Sequence, residues 1–209
     1  IMPSLVGSEM CIRDRLIGTH NKGKIKEICY LLNKKIKKIT PLELQIKSPS
    51  ETGKSFKANS ELKAKYFFNK SKIITLSDDS GLCIDCLNNQ PGIYSARWAK
   101  KYGNFNQAGK KILDLIKKKN RNKKIKNVKA KFICSLSFCY KNNKIITAEG
   151  IIEGKISDRP KGKNGFGYDP IFIPKGTKKT FGQMSKKKKM LMDHRFLAFK
   201  KMKKKINIL

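Results

Sequence analysis

The 209-residue chain is strongly basic, with 49 Lys and Arg against 15 Asp and Glu and a formal net charge of +34. This length predicts a protein that can bury its own core, and no apolar run approaches the roughly 20 residues that cross a bilayer, so we expect a soluble protein. The charge is compatible with nucleic-acid binding, but Lys spread along an Ile- and Asn-rich chain also fits a bias in composition, and either origin would attract a polyanionic small molecule.

Residues 1–15 contain neither the apolar stretch of a signal peptide nor a clear helix or strand pattern. The charged residues at 13–15 stand where a first buried strand should begin. We interpret 1–15 as a segment that is either foreign to the native protein or disordered. A single domain is predicted over 16–209.

From Leu16 onwards, short apolar strands alternate with amphipathic helices. Apolar spacing predicts helices over 23–33, 55–70, 104–118 and 189–205, the second of them capped by Ser55. Strands are predicted to end at 18 and to lie within 36–44, 73–76, 132–140 and 145–152, the last two joined through Asn142 and Asn143. This order predicts an α/β fold with a mixed sheet.

The segment from Gly18 to Lys24 follows a predicted strand and opens a helix. Backbone N–H groups and a helix N-terminus at such a turn can hold phosphate, and Lys24 adds positive charge. The G-x-x-x-x-G-K pattern is followed by Ile25, where a P-loop needs Ser or Thr to bind magnesium. The sequence therefore argues against a Walker-type NTPase and favours another kind of phosphate-binding turn.

Acidic residues are scarce, yet Asp78 and Asp79 follow the strand predicted at 73–76, and Glu51 lies in the turn sequence SETG. We expect an acidic turn over 77–81. Carboxylates of this kind suit Mg²⁺ better than zinc, and the alternative is an Asx-type turn with solvated carboxylates. Lys63 lies four residues after Asn59 on a helix face that also carries Phe, so its ammonium group either reaches an anion or extends to the solvent.

Cys83 and Cys86 form a C-x-x-C pattern in a chain with six Cys and two His. The apolar residues around them favour a strand or its margin, where side chains three residues apart face opposite ways and cannot chelate together. Without a convincing secretory signal, the cysteines predict reduced thiols and a cytoplasmic protein. The low His content argues against a His-rich zinc site.

Near the carboxyl end, a glycine-punctuated loop carries Phe166, Gly167, Tyr168 and Asp169. Its aromatic faces could stack on a base, or they could simply anchor the loop. The donors Lys189, His194 and Arg195 follow near the start of the last predicted helix.

Seven segments carry a family resemblance by their order and spacing: THNKGK, SETG, SFKANSELKAK, SDDSGL, PGIYSARWA, GKNGFGYDPIF and DHRFLA. Over residues 16–203 the chain resembles the inosine triphosphate pyrophosphatase family, also described as XTP/dITP diphosphatases. The resemblance implies an elongated α/β domain, with a long central mixed sheet flanked by helices and a smaller lobe that forms a nucleotide cleft. It also implies Mg²⁺-dependent hydrolysis of ITP, dITP and XTP to the monophosphate and pyrophosphate by a homodimer that cleanses the nucleotide pool.

The resemblance further implies roles for individual residues. Asp79 would accept the proton of the attacking water and, together with Glu51, bind Mg²⁺, whereas Asp78 would give support. The implied substrate-binding residues are Thr19, His20, Asn21, Lys22, Gly23, Lys24, Lys63, Ser80, Phe166, Gly167, Tyr168, Asp169, Lys189, His194 and Arg195. Donors at His194 and Arg195, or backbone N–H groups, would meet the 6-oxo group of hypoxanthine or xanthine, whereas the 6-amino group of adenine would leave polar groups unpaired.

Three positions depart from the family pattern: His20 replaces a usual Gly, Gln183 a usual Glu and Asp193 a usual Ser. His20 puts the geometry of the phosphate turn in question, and Asp193 places a negative charge close to the donors that read the base. Two alternatives stay open: a basic nucleic-acid-binding protein without catalysis, and an inactive nucleotide-binding relative. The pyrophosphatase hypothesis requires neither nucleic acid nor a membrane.

Overall fold

The structure, a computed structural model, describes residues 14–121, 125 and 127–206. In this part of the chain seven strands form one mixed sheet, which confirms the predicted α/β class. The strands are β1 (Asp14–Ile17), β2 (Lys37–Ile39), β3 (Thr75–Ile84), β4 (Gln90–Pro91), β5 (Lys129–Tyr140), β6 (Lys144–Ile156) and β7 (Phe172–Pro174). The helices are α1 (Lys22–Leu31), α2 (Phe56–Ser71), α3 (Ser95–Lys101), α4 (Phe105–Lys119), α5 (Lys186–Met190) and α6 (His194–Lys205).

The sheet has the strand order β2-β1-β3-β5-β6-β7, and β4 pairs with one end of β3. β1 runs parallel to β2 and β3, and the other pairs are antiparallel. The predicted hairpin of β5 and β6 is confirmed, and Asn142 and Asn143 turn with φ of 59° and 58°. Asn tolerates this left-handed conformation better than most residues.

Helices cover both faces of the sheet, because successive strand residues face opposite sides. On one side Leu16 of β1 packs with Phe67 of α2. On the other side the neighbouring Ile17 joins Ile28 of α1 and Ala198 of α6 in a second apolar cluster. Neighbouring residues of β1 therefore lie in different apolar clusters on opposite faces of the sheet.

The expectation of an acidic turn at 77–81 is wrong, because these residues continue β3 through the middle of the sheet. β3 pairs with β5 along its whole length, and Asp79 lies opposite Ser135 in that register. Asp is unfavourable in strands, but here both carboxylates meet cationic side chains. In a strand, Asp78 and Asp79 must face opposite sides of the sheet.

The last predicted helix is also corrected, since residues 189–205 hold parts of α5 and α6 separated at 191–193. Asp193 begins α6, and its Oδ1 accepts a hydrogen bond from the Phe196 N–H at 2.9 Å. The predicted cap at Ser55 is confirmed, because its side chain accepts the Ala58 N–H at the start of α2.

Of the segment predicted to be foreign, residues 1–13 lie outside the described residues, while Asp14 and Arg15 form the first half of β1. Its origin stays a prediction. Among the helices of the described residues, none has the length and apolar character needed to cross a membrane.

Candidate active site

A cavity of about 220 Å³ collects most of the residues that the sequence singled out. All the predicted site residues line it except Lys22 and Gly23. Lys22 is the first residue of α1, and Gly23 lies behind the ring of Phe166, where a Cβ atom would come within 2.6 Å of that ring. The absence of a side chain at Gly23 therefore lets Phe166 pack closely on α1.

The turn between β1 and α1 forms the phosphate-turn end of the cavity. Asn21 caps α1 by accepting the Lys24 N–H at 3.1 Å, and Thr19 Oγ1 accepts the Asn21 N–H at 3.2 Å. The positive end of the ten-residue α1 and the Lys24 ammonium group thus lie at one mouth of the cavity. The backbone at His20 does not have a positive φ, so the turn accommodates a residue other than Gly without strain.

Asp78 faces the side of the sheet covered by α1 and α6 and is fully buried behind the cavity wall. Its Oδ2 lies 3.2 Å from Lys24 Nζ and accepts a hydrogen bond from Arg195 Nη2 at 3.0 Å. Burial by itself raises the pKa of the Asp78 carboxyl, but Lys24 and Arg195 outweigh burial and hold that pKa well below its usual range. Asp78 therefore stays ionised and fixes two cations that line the cavity.

Asp79 faces the opposite side, towards α2, and it does line the cavity. Its Oδ2 accepts a hydrogen bond from Asn59 Nδ2 at 3.2 Å, while Lys63 Nζ lies 3.5 Å from its Oδ1. Burial raises the pKa of Asp79, although Lys63 acts in the opposite sense. The result is a carboxylate more basic than an exposed Asp, held in one orientation by an amide.

Asn59 is a positioning residue. The sequence predicted that it lies on the same face of α2 as Lys63 but assigned it no function. Its Oδ1 accepts the Gly53 N–H at 2.8 Å, so one buried amide ties the loop that carries Glu51 to Asp79. Arg97 secures the same loop, because its Nη2 donates to the Glu51 carbonyl at 2.5 Å.

Glu51 and Asp79 share one cation in the structure. The ammonium group of Lys63 lies 2.6 Å from Glu51 Oε1 and 3.5 Å from Asp79 Oδ1. Across the described ranges, no group of three or more His, Cys, Asp or Glu side chains could hold a metal ion. A metal here would need ligands from phosphate and water besides the two carboxylates, and this donor set fits Mg²⁺.

Lys189 and Arg195 form the other end of the cavity, and Glu27 joins them. Lys189 Nζ donates to Glu27 Oε1 at 2.6 Å and to Asp169 Oδ2 at 2.8 Å, while Arg195 Nη1 donates to Glu27 Oε2. Burial lowers the pKa of Lys189, but Asp169 and Glu27 more than compensate, so its pKa is raised. Glu27 was not among the site residues predicted from the sequence.

Aromatic rings complete this end of the cavity. Lys189 Nζ lies 4.7 Å from the centroid of the Phe166 ring, and His194 stacks on Phe132 with 4.8 Å between ring centroids. Burial holds the pKa of His194 well below its usual value, so the imidazole is neutral. The Tyr168 hydroxyl donates to the Ser95 carbonyl at 3.0 Å and anchors the loop.

Two buried nitrogen atoms at this end have no hydrogen-bond partner within the described part of the chain: His194 Nδ1 and Arg195 Nε. Both residues line the cavity. Gln183 lies outside it, where its side chain accepts the Thr180 N–H at 3.1 Å and so keeps a local capping interaction. Of the three departures from the family pattern, only His20 lines the cavity, and Asp193 lies behind it.

Comparisons with known proteins identify the family of the chain. The sequence profile described as the Ham1 family matches residues 16–205. The chain belongs to the Ham1 family. The resemblance predicted from seven short segments is thereby confirmed.

Other members of the Ham1 family are similar over nearly their whole length. A dITP/XTP pyrophosphatase of Borreliella burgdorferi is 43% identical over 197 residues, covering 89% of this chain and 92% of that protein. The Zymomonas mobilis protein of the same name is 36% identical over 188 residues, covering 90% and 88%. The solved structure of a HAM1 protein from Coxiella burnetii superimposes with a TM-score of 0.81 at 29% identity, covering 94% and 99%.

Proposed function

We propose that this Ham1 chain hydrolyses non-standard purine nucleoside triphosphates, namely ITP, dITP and XTP, to the monophosphate and pyrophosphate, with Mg²⁺ as cofactor. The names of its relatives support the substrate class. The observation that carries the reaction is one cavity that joins a phosphate-type turn, a basic buried carboxylate and buried hydrogen-bond donors.

The triphosphate binds at the phosphate-turn end. Backbone N–H groups near Thr19 and Asn21 and the N-terminus of α1 face its oxygens, and Lys24 supplies a cation. Lys63 adds a second cation on the α2 side of the sheet. These charges stabilise the negative charge that develops when the bond between the α- and β-phosphates breaks.

Asp79 accepts the proton of the attacking water. Asn59 fixes one of its oxygens while the other lies beside Lys63, so the carboxylate is held in one orientation for proton transfer. Glu51 and Asp79 hold Mg²⁺, which when bound supplies positive charge to the phosphate oxygens.

The base is selected at the end formed by Lys189, His194 and Arg195. A 6-oxopurine offers an acceptor to donors at His194 and Arg195, two residues that line the cavity, whereas the 6-amino group of adenine offers a donor and leaves polar groups unsatisfied. Phe166 provides an aromatic face beside these donors.

We further propose that the chain acts as a homodimer in the cytoplasm. The homodimer is supported by the family resemblance alone, and light scattering of the purified protein tests it. Free thiols support the cytoplasmic location, because cysteines stay reduced in that compartment. The described residues contain five of them: Cys29, Cys83, Cys86, Cys134 and Cys139.

The decisive assay measures pyrophosphate release from ITP, dITP, XTP and ATP with Mg²⁺. We expect turnover of the 6-oxopurine substrates well above that of ATP, and a loss of about 10²- to 10⁴-fold in kcat for Asp79→Asn, because the general base is removed. Asp85→Asn, which changes an exposed carboxylate just past the end of the same strand, is the matched control and should keep full activity.

Each alternative predicts a different result. An inactive relative binds nucleotide without releasing pyrophosphate, and a nucleic-acid-binding protein binds RNA or DNA with steep salt dependence and no turnover. Equal rates on ATP would contradict the base selectivity, and an active Asp79→Asn would contradict the assignment of the base.

A further inference from the structure

Five buried charged side chains surround the end of the cavity that selects the base, and their charges do not balance. This base-end cluster contains three carboxylates and two cations, each at most 6% exposed: Glu27, Asp169, Asp193, Lys189 and Arg195. The adjoining Asp78 and Lys24 pair with each other at 3.2 Å and cancel. With every group ionised, the base-end cluster carries one excess negative charge, which is costly in a buried place.

Asp193 is the least neutralised member of the base-end cluster. Its Oδ1 accepts the Phe196 N–H, but its Oδ2 is buried without a hydrogen-bond partner among the residues described. The ammonium group of Lys189 is 3.9 Å from this oxygen, whereas it lies 2.6 and 2.8 Å from Glu27 and Asp169. Asp193 is therefore the carboxylate in excess.

The surroundings of Asp193 make its charge depend on pH. It is faced by Glu27 from α1, Lys189 from α5, Arg195 from α6 and, on β5, Cys134. Burial, and then the negative charge of Glu27, raise the pKa of Asp193 to about 6. The side chain is ionised above this value and neutral below it.

We propose that Asp193 is a specificity-determining residue that makes the site prefer a neutral 6-oxopurine, hypoxanthine, over the ionised form of xanthine. Xanthine bases lose a ring proton near neutral pH, whereas hypoxanthine stays neutral there. An anionic base beside an uncompensated carboxylate is repelled, and repulsion of a competitor is a general way to obtain specificity. Asp193 does not line the cavity, so it acts on the base through its electrostatic effect at Lys189 and not by direct contact.

This inference rests on the proposed function and is tested by Asp193→Asn and Asp193→Ser. Both side chains keep an acceptor suited to a helix N-cap, so α6 retains its start while the charge is removed. At pH 8 we expect the ratio of kcat/KM for XTP to that for dITP to rise about tenfold in both variants, equivalent to about 1.4 kcal/mol, through KM and not kcat. At pH 5, where Asp193 and xanthine both hold their protons, the variants and the parent protein should agree.

Asp158→Asn is the matched control, because Asp158 is an exposed carboxylate paired with Lys161. It should leave the substrate ratio unchanged at both pH values. An unchanged ratio at pH 8 in both Asp193 variants would overturn the proposal.

Two further measurements do not depend on turnover. In calorimetric titrations at pH 8, the affinity for XMP relative to that for dIMP should rise by the same factor in the Asp193 variants. Binding therefore tests the proposal even if no triphosphate is cleaved. A carboxyl group with a raised pKa stabilises the fold below its unfolded value and loses that contribution as the pH rises through the raised value. Asp193→Asn should therefore raise Tm relative to the parent protein at pH 8 more than at pH 5. Absence of nucleotide binding, or an equal Tm difference at both pH values, would contradict the role of Asp193.

Discussion

The two ends of the cavity hold their charges in different ways. At the base end, Lys189 and Arg195 are at most 2% exposed, and each contacts at least two carboxylates that the protein itself supplies. At the end where we propose that Mg²⁺ binds, called here the metal end and formed by Glu51, Lys63 and Asp79, the Glu51 side chain is 28% exposed and comes from a loop. The base end is preorganised by buried ion pairs, whereas at the metal end one ammonium group serves two carboxylates, one of them within reach of solvent.

The strongest test of this difference is Lys189→Met, which replaces a cation of the base end by an apolar side chain of similar length. Three buried carboxylates would then face Arg195 alone. Since breaking a buried pair leaves uncompensated charge, we expect a loss of about 3 to 5 kcal/mol in the free energy of unfolding. Urea unfolding at pH 8 measures it, and a loss below about 1 kcal/mol, the size expected of an exposed ion pair, would show that the base end is not preorganised by these pairs.

The matched change at the metal end is Lys63→Met. We expect a smaller loss, about 1 to 3 kcal/mol, because Glu51 can turn to solvent and only Asp79 stays without its partner. Millimolar Mg²⁺ should restore part of this loss by taking the place of the ammonium group, and should restore none in Lys189→Met. Equal effects of Mg²⁺ in the two variants would remove the distinction between the ends.

The smallest effect is expected for His20→Gly at the phosphate-turn end. The φ of His20 is not positive, so Gly relieves no strain there, and the substitution removes an exposed hydrogen bond between His20 Nδ1 and Ser48 Oγ and a ring contact with Phe67 at 6.2 Å between centroids. The added freedom of Gly costs about 0.5 to 1 kcal/mol. Thermal unfolding and KM for dITP measure the change, and a large gain in activity would mean that His20 does disturb the turn.

The difference between the two ends of the cavity also explains which site residues the sequence could predict. Residues of the phosphate turn and the α2 face were identified because local patterns place them: Asn21 and Ser55 each cap a helix beside the cavity. These residues come together at the cavity because strands and helices alternate along the chain. The family resemblance added the assignment of Asp79.

The features missed by the sequence analysis depend on distant partners. Glu27 contacts Lys189 and Arg195, which lie 162 and 168 residues away, so no local pattern marks it. The acidic run was expected to form a turn, whereas cations brought by α1, α2 and α6 balance both carboxylates within a strand, where Asp is otherwise unfavourable. The break before α6 was missed because the apolar spacing continues across 191–193.

The position of the two acids in β3 has one more consequence. Because side chains alternate along a strand, Asp78 and Asp79 are neighbours in sequence but lie in separate compartments. A slip of β3 against β5 by one residue would send each carboxylate to the wrong face. The two roles that we propose, general base for Asp79 and electrostatic anchor for Asp78, thus depend on the register of β3 against β5, and an insertion or deletion within β3 should abolish both roles at once.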